Sequence, residues 1–303
     1  MEKKNKDHQN IKFAAFVMTY KRPDIAKETI LKLFEQTAPP DRVLIIDNDT
    51  LQSGKTIQEQ LNHLPISYHA NGFNSGPAGA AAIGLQMLAA AGYQWIAWID
   101  DDDPPYFADV FEILLATATK DPRCGSVGVV GHFFNKKRGL IQRVSDDLIK
   151  GTEHLKVDTI AGGMIKIVDA KVVTEHHLLP ETKLFFGFEE LAYDLQMQKA
   201  GYTLLVDQAL FLRHRIYHNR LQFEKKIVQK TERQLVRDYY STRNMLFILN
   251  KNKLKGAFCY TLLRILYKSL IAFTYGFNYG YKNLKYQSIA TYHYFTSQYG
   301  QLN

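Results

Sequence analysis

The sequence of 303 residues is 46% hydrophobic and 13% aromatic, which excludes an intrinsically disordered chain and predicts a substantial buried core. The formal net charge of +8 arises after Asp238, because every later charged residue is basic and the preceding part is neutral. The two distant cysteines match no metal-binding spacing, and the polar first ten residues lack the apolar core of a secretory signal, so we expect a cytosolic protein.

Apolar runs alternate with helix-like segments through the neutral part of the chain. In chain order the predicted elements are a strand at 13–20, a helix at 22–36 opened by a proline, a strand at 42–48, a helix of small residues at 76–92 and a strand at 95–99. Strands separated by helices predict an α/β fold, with a mostly parallel sheet covered by helices on both faces.

Polar residues follow three of the predicted strands at the point where each strand ends. They occupy positions 19–22, 47–49 and 100–103. Ligands of open α/β sheets bind at the carboxyl ends of the strands, so we expect these three groups to form one site.

Four consecutive carboxylates, Asp100 to Asp103, follow the strand "WIAWI" and precede two prolines. A solvated acidic loop is the common structural explanation for such a run. The buried strand before it favours a second interpretation, because it delivers the run to the ligand-binding edge of the sheet. Asp100 and Asp102 alternate, and together they could hold a hard cation such as Mg²⁺ or Mn²⁺.

A metal held by few protein oxygens keeps coordination positions for a phosphate-bearing substrate, which suggests a nucleoside diphosphate. The sequence contains no Walker-type phosphate loop, and "NSGPAGAA" at 74–81 does not match the dinucleotide-binding glycine pattern. We therefore expect the metal and side chains, rather than a glycine-rich loop, to neutralise the phosphates.

A series of motifs between residues 11 and 250 resembles the inverting glycosyltransferases of family 2, particularly the bacterial galactofuranosyl- and rhamnosyltransferases. The motifs occur in the family's order: "FVMTYKRPD", "LIIDNDT", "NSGPAGA", "WIDDDDPP", "AGGMIKI", "FFGFEELAYDLQMQKAGY", "LRHR" and "YYSTRNMLFIL". The resemblance implies a Rossmann-like GT-A fold, a nucleotide-sugar donor, and a divalent metal, Mn²⁺ or Mg²⁺.

The resemblance also implies roles for particular residues. Matching positions assign donor contacts to Thr19, Arg22, Asp47, Asn74, Asp100 and Asp101, and metal ligation to Asp100, Asp102 and His214. In this assignment Asp100 and Asp102 match the D-x-D motif of the family. Because Asp103 is an additional carboxylate, the alignment with that motif is open by one residue.

The segment "FFGFEELAYD" at 185–194 predicts the acceptor side of the site. An inverting transfer needs a base for the acceptor hydroxyl, and adjacent carboxylates such as Glu189 and Glu190 can raise one another's pKa toward neutrality. The family pattern favours Glu190, with Glu189 and Asp194 as alternatives, and it places Gly162 and Gly163 near the acceptor. The same segment also fits an ordinary amphipathic helix, with acids in the first turn favoured by the helix dipole.

The basic and aromatic tail predicts a boundary between a catalytic domain at 1–238 and a helical segment at 239–303. Arg264 and Lys268 interrupt its most apolar stretch, at 256–276, so we expect an amphipathic helix rather than a membrane span. Such a helix could contact a membrane surface through 251–285, a second subunit, or its own domain. No nucleic-acid-binding motif is present.

The sequence therefore predicts an inverting, metal-dependent transferase that moves one sugar, galactofuranose from a UDP donor, onto a lipid-linked surface glycan. The Q-x-x-R-W signature of processive polysaccharide synthases is missing, since the only tryptophans are Trp95 and Trp98. Three alternatives remain: a dTDP-rhamnose-dependent rhamnosyltransferase, a nucleotidyltransferase that releases pyrophosphate, and a non-catalytic module that binds metal and membrane.

Overall fold

The computed structural model describes residues 11–161, 165–222 and 229–302. Its strands are β1 (Phe13–Thr19), β2 (Arg42–Asp47), β3 (Ile66–Ala70), β4 (Trp95–Asp100), β5 (Cys124–Gly128), β6 (Gly131–Asn135), β7 (Leu140–Arg143), β8 (His154–Lys156), β9 (Thr159–Ile160), β10 (Lys166–Asp169) and β11 (Thr203–Asp207). Its α-helices are α1 (Pro23–Phe34), α2 (Lys55–Gln60), α3 (Gly76–Ala90), α4 (Val110–Ala118), α5 (Lys171–Thr174), α6 (Glu189–Lys199), α7 (Gln208–Tyr217), α8 (Glu232–Lys251), α9 (Lys255–Ala272) and α10 (Phe277–Phe295).

The main sheet has the strand order β3-β2-β1-β4-β10-β5-β11-β8. Strands β1 to β4 are parallel, whereas β10 runs antiparallel to both of its neighbours. The three strands predicted from the sequence are confirmed as β1, β2 and β4, and the two predicted helices are confirmed as α1 and α3. The sequence missed β3, because this strand lies at the edge of the sheet and every residue in it is only partly buried.

The register of the parallel strands brings their polar ends together. Thr19 at the end of β1 lies opposite Asp47 at the end of β2, and Met18 lies opposite Asp100 at the end of β4. All seven residues of β1 are buried, so the sheet fixes these strand ends against a packed core. The predicted meeting of the three polar groups at one edge of the sheet is confirmed.

Helix α3 packs tightly against β1 because the helix has a glycine at the contact. A Cβ atom at Gly84 would lie 2.4 Å from the ring of Phe16. Real Cβ contacts are not this short, so the small-residue composition of α3 reflects packing.

A buried ion pair links the sheet to α6. The Lys166 ammonium contacts the Asp194 carboxylate, and both side chains are fully buried. The ammonium also lies 5.6 Å from the ring centroids of Trp98 and Tyr193. Removing either charge would leave the other buried without a counter-ion, which is strongly destabilising.

The C-terminal helices begin before the predicted domain boundary. Thr231 and Gln234 form a reciprocal capping box at the start of α8, and the helix continues unbroken through Asp238. Its buried face, which includes Leu235, Leu246 and Leu249, faces the protein interior. The change in charge at Asp238 therefore falls inside a helix, and the helical segment begins at Glu232.

Helices α9 and α10 form an antiparallel pair beside α8. The ring of Phe258 near the start of α9 packs against Tyr294 and Phe295 at the end of α10. The segment Lys255–Tyr275, with a mean hydropathy of 1.3, is long and apolar enough to cross a membrane by length and composition alone. Arg264 and Lys268 thus do not reduce its hydropathy as far as the sequence analysis assumed.

Candidate active site

The ends of β1 and β4 are joined by an ion-pair network. Arg22, directly before α1, contacts the carboxylate of Asp101 and binds Asp102 at 2.6 Å. The hydroxyl of Thr19 donates to Asp101 at 3.1 Å. Thr19, Arg22 and Asp101, all predicted donor-binding residues, therefore lie together at one edge of the sheet.

Asp47 is completely buried at the end of β2. Its carboxylate accepts hydrogen bonds from the backbone N–H groups of Asp49 at 2.8 Å and Gly54 at 2.7 Å. It also accepts one from the hydroxyl of Tyr68 at 3.0 Å, and burial together with this carboxylate raises the pKa of Tyr68. Asp47 thus orders the loop after β2, and Tyr68 on the unpredicted strand β3 is a site residue that the sequence analysis missed.

The loop before α3 is organised by two asparagines. Asn74 accepts a hydrogen bond from the backbone N–H of Gly76 at 3.0 Å. Asn48 accepts hydrogen bonds from the side chains of Asn71 at 2.6 Å and Ser75 at 2.8 Å. The predicted donor residue Asn74 therefore shapes the chain at the helix start, and Asn48, which belongs to the predicted polar group at 47–49 but was given no role of its own, organises the same loop.

Gly76 joins this loop to the acceptor side of the protein. Its φ of +68° is in the left-handed region, and a Cβ atom there would lie 2.3 Å from the carbonyl oxygen of Phe185. The N–H of Ala78 donates to the same carbonyl at 3.2 Å. Glycine in the "NSGPAGA" motif thus permits close contact between two loops of the site.

The four consecutive aspartates occupy different environments. Asp101 is buried against Thr19 and Arg22, whereas Asp102 is half-exposed and pairs with Arg22. Burial, followed by the negative charge of Glu190, raises the pKa of Asp100 to about 8. Burial raises the pKa of Asp103 to about 6, although a hydrogen bond with Tyr106 opposes this shift. The run is therefore neither a uniformly solvated loop nor a single cluster.

Asp103 and His214 line the same small pocket, together with Val129 after β5, Ile165 before β10, and residues of the loop before α4 and of its first turn. The Nε2 atom of His214 is buried and has no hydrogen-bond partner within the described parts of the chain. Burial lowers the pKa of His214 to about 4, with His218 and Arg220 contributing, so the imidazole is neutral. A neutral imidazole with an unsatisfied nitrogen beside a carboxylate suits a divalent cation.

No group of three histidine, cysteine or acidic side chains converges as a preformed metal site among residues 11–161, 165–222 and 229–302. The predicted ligand Asp102 is bound by Arg22, and the charge of Glu190 contributes to the raised pKa of Asp100. The donor set nevertheless fits a cation that takes few ligands from protein and the remainder from a diphosphate.

The predicted acceptor side begins at the start of α6. Glu189 is 4% exposed, and its Oε2 atom is buried without a hydrogen-bond partner in the described chain. Burial and the neighbouring Glu190 raise the pKa of Glu189 well above its ordinary value. Glu190 is only partly buried, and its pKa is raised by burial against the opposing effect of Lys166. Of the pair, Glu190 is the residue with more exposed surface.

The loop before α6 has an unusual backbone that α8 holds in place. Phe185, Gly187 and Phe188 have φ angles of +63°, +84° and +66°. The side-chain amide of Asn244 donates to the carbonyls of Leu184, Phe186 and Gly187 at 3.0, 2.9 and 2.7 Å. Two buried polar residues of α8 thus fix the approach to Glu189 and Glu190, since Arg243 also donates to Leu184 at 3.0 Å.

The remaining predicted acceptor residues are placed differently. Asp194 has no exposed surface, and it accepts hydrogen bonds from Thr159 and the N–H of Ile160, both at 2.8 Å, in addition to its ion pair with Lys166. These contacts give Asp194 a structural role in the interior and remove it from the candidate bases. Gly162 and Gly163 lie outside the described residues.

A sequence model of the family described as Glycosyl transferase family 2 matches residues 15–167. This region spans half of the chain and includes Thr19, Arg22, Asp47 and the four aspartates. The chain belongs to glycosyltransferase family 2 and is therefore a transferase. This membership excludes the non-catalytic module as the primary role and confirms the family expected from the motifs.

Characterised relatives match about a third of the chain. The galactofuranosyltransferase GlfT1 of Mycobacterium tuberculosis is 34% identical over 108 residues, which cover 35% of each protein. The galactofuranosyltransferase GlfT1 of Mycolicibacterium smegmatis is 29% identical over 106 residues, which cover 34% of each protein. The match thus spans only about a third of the length of these relatives.

Solved structures resemble the fold over almost the whole chain. A mannosyltransferase from Pyrobaculum calidifontis, PcManGT, in complex with GDP-Man and Mn²⁺, covers 95% of this chain and 88% of its own at 13% identity, with a TM-score of 0.55. GalNAc-T7 with UDP, GalNAc and Mn²⁺ covers 96% of this chain and 57% of its own at 14% identity, with a TM-score of 0.58. The predicted GT-A fold with a helical C-terminal segment is confirmed.

Proposed function

We propose that this protein transfers a single galactofuranose from UDP-galactofuranose to a lipid-linked glycan, with inversion at the anomeric carbon. The observation that carries the proposal is the placement of Asp100 within the electrostatic reach of Glu190, at an edge of the sheet that Thr19 and Asp47 also reach. This relationship supports a single site in which donor-side and acceptor-side carboxylates act together. The partial similarity to galactofuranosyltransferases supports the choice of sugar.

In the proposed reaction, Glu190 acts as the general base. Its carboxylate takes the proton of an acceptor hydroxyl as the hydroxyl oxygen bonds to the anomeric carbon. The bond from that carbon to the diphosphate oxygen breaks on the opposite face, and its electron pair leaves with UDP. A raised pKa suits this role, because it makes the Glu190 carboxylate a stronger base.

The buried orphan nitrogen of His214 is the structural feature that fits a divalent cation, Mn²⁺ or Mg²⁺. Asp100, Asp102 and His214 remain the predicted ligands, and the shared pocket adds Asp103 as a candidate. When bound, the cation would stabilise the negative charge that develops on the leaving diphosphate. Arg22, which already bridges Asp101 and Asp102, would hold the carboxylates in place beside it.

Thermal unfolding with Mn²⁺ and a panel of UDP, dTDP, GDP and CMP tests the donor assignment. A ligand that binds only the folded protein raises the unfolding temperature, so UDP should give a shift that disappears when the metal is chelated. A preference for dTDP would instead assign the protein as a rhamnosyltransferase. Release of UDP from UDP-galactofuranose in the presence of acceptor distinguishes sugar transfer from nucleotidyl transfer, which releases pyrophosphate.

The proposed location is the cytoplasmic face of the cell membrane, where soluble nucleotide sugars can meet a lipid-linked acceptor. Asn244 of α8 holds the loop before Glu189, and α8 leads directly into the basic helix α9. Helix α8 therefore connects the acceptor side of the site to the segment 251–285, for which membrane contact was predicted.

A further inference from the structure

The helix pair α9–α10 buries small and polar residues and exposes large apolar ones, which is the reverse of an ordinary helical hairpin on a protein surface. On α9 the buried residues are Ala257, Thr261, Ser269 and Ala272, which are small or polar. On α10 the buried residues include Gly280, Asn283 and Gln287. A helix that packs on a soluble core normally turns its large apolar side chains inward.

Many of the large apolar side chains of the pair point outward. Their exposed fractions are 68% for Leu263, 56% for Leu266, 64% for Tyr267, 60% for Leu270, 79% for Phe277 and 57% for Tyr281. The positions recur at intervals of three or four residues, so they form a stripe along each helix. The exposed apolar stripes of two adjacent helices are larger than the scattered hydrophobic residues found on most protein surfaces.

Polar atoms in the interior of the pair reinforce this reversal. The hydroxyls of Thr261 and Ser269 and the side-chain oxygen of Asn283 are buried, and none has a hydrogen-bond partner in the described parts of the chain. The sequence therefore places polar groups inside and leucine and aromatic side chains outside. Water does not favour this arrangement, whereas a hydrocarbon boundary does.

The charges around these helices favour a lipid surface over a second copy of the chain. Between Lys255 and Phe295 every charged residue is basic, and Lys253, Lys255 and Lys285 are exposed. Two copies that met through this surface would bring like charges together. Anionic phospholipid headgroups would instead attract them, while the outward leucines and aromatics enter the acyl boundary.

We propose that the outward face of α9 and α10 is an anionic-membrane docking surface, which lies within the plane of the interface. The helix pair is shallow rather than spanning, because Lys282, Asn283 and Lys285 occupy the middle of α10 beside the apolar α9. Lys282 also pairs with Glu232 of α8 at 2.9 Å, which keeps α10 attached to the catalytic domain. The surface thus supplies the membrane contact that a lipid-linked acceptor requires, although its lipid binding does not depend on which sugar is transferred.

Vesicle flotation with the purified full-length protein tests this proposal without donor or acceptor. The protein should bind vesicles of phosphatidylcholine mixed with phosphatidylglycerol, and it should bind phosphatidylcholine alone much more weakly. Leu270→Ser and Phe277→Ser should each lower the partition coefficient about tenfold, because each removes an apolar side chain from the lipid boundary. Lys253→Glu with Lys285→Glu should lower binding to the anionic vesicles by at least about tenfold and have little effect on the neutral ones.

Matched substitutions on the catalytic domain provide the controls. Leu148, which is 44% exposed, and Lys199, which is also exposed, belong to other elements than α9 and α10. Leu148→Ser and Lys199→Glu should leave flotation unchanged. Because every test substitution is at an exposed position, thermal unfolding of each variant should match that of the wild type.

Several outcomes would overturn the proposal. A folded wild-type protein that floats with neither vesicle, or equally with both, would exclude an anionic-membrane surface. Concentration-dependent dimerisation that Leu270→Ser and Phe277→Ser abolish, without vesicle binding, would assign this face to a second copy. Retention in cell membranes through high-salt and alkaline washing, with release only by detergent, would show that the pair is embedded rather than interfacial. These results do not depend on the donor panel, so the docking surface and the transfer reaction can fail separately.

Discussion

The side-chain amide of Asn244 donates a hydrogen bond of 2.7 Å to the carbonyl of Gly187, two residues before Glu189. The same amide also binds the carbonyls of Leu184 and Phe186. Three left-handed residues in this loop give it a conformation that the local sequence alone would not favour. Asn244, which lies 57 positions after Gly187 in the chain, therefore holds the loop that leads to the proposed base.

Asn244 is accordingly expected to be a positioning residue. Asn244→Asp keeps the size of the side chain but replaces its donors with acceptors that face carbonyl oxygens. We expect kcat to fall by about 10- to 100-fold, corresponding to the loss of about 1–3 kcal/mol of buried hydrogen bonding. The donor KM should change little, because the predicted donor residues lie on other loops.

Steady-state kinetics of Asn244→Asp, Asn244→Ala and the control Asn250→Ala separate positioning from general instability. Asn250 is exposed on the same helix, so its substitution should have no effect. A parallel loss of kcat and donor affinity, or an unchanged kcat, would contradict the positioning role.

The two glutamates at the start of α6 should respond differently to substitution. Glu190→Gln should lower transfer by about 10²- to 10⁴-fold, the usual contribution of a general base. Glu189→Gln should retain much more activity and leave metal-free stability unchanged or higher, because the buried Glu189 already favours its neutral form. Rate assays of both variants at saturating donor make the comparison. Normal turnover by Glu190→Gln would transfer the role of base to Glu189.

The register of the metal site can be tested with Asp102→Asn, Asp103→Asn and His214→Gln. His214→Gln should weaken Mn²⁺ binding, because His214 provides the buried orphan nitrogen. If the family register applies, Asp102→Asn should weaken Mn²⁺ binding more than Asp103→Asn does. Isothermal titration with Mn²⁺ and UDP measures this without turnover, and the exposed Asp147→Asn is a suitable control. Full metal-dependent transfer by Asp102→Asn would exclude it as a ligand.

The metal-free protein should lose stability as the pH rises toward 8. The pKa of Asp100 is raised from 3.8 to about 8, mainly by burial and then by Glu190. Between these values the folded protein retains a proton that the unfolded chain has released. The free energy of unfolding therefore falls with rising pH, by at most about 1.4 kcal/mol per pH unit for one carboxyl group.

Urea unfolding in a chelating buffer from about pH 5.5 to about pH 9, a range in which the contribution of Asp100 declines and is then lost, measures this dependence. Asp100→Asn should flatten the slope and raise stability at the alkaline end, since it removes the ionisation. A slope that is unchanged in Asp100→Asn would show that Glu189 and Glu190, whose pKa values are raised in the same direction, account for the effect.

The sequence alone was sufficient to predict the strand ends, the family and the polar residues that meet at one edge of the sheet. Local patterns carry this information, because a buried parallel strand needs a continuous apolar run and its ligand-facing end is polar. Thr19, Asp47 and Asp100 follow such runs, and the structure aligns them through the strand register. β3 escaped prediction because an edge strand is only partly buried.

Only the tertiary structure decided what the neighbours of each polar residue are. The four consecutive aspartates look alike in the sequence, yet each has a different neighbour in the folded chain. Asp100, Asp101, Asp102 and Asp103 interact with Glu190, Thr19, Arg22 and Tyr106, respectively. Asp194 is a plausible base by spacing, but the fold buries it against Lys166.

The same limit applies to the C-terminal helices. Periodicity identifies α9 as amphipathic, but it does not show which face packs against the protein. The structure turns Thr261 inward and Leu270 outward, because α8 and α10 enclose the polar side of α9. Helix formation depends on neighbouring residues and can be predicted locally, whereas burial depends on contacts between distant segments, which only the folded chain brings together.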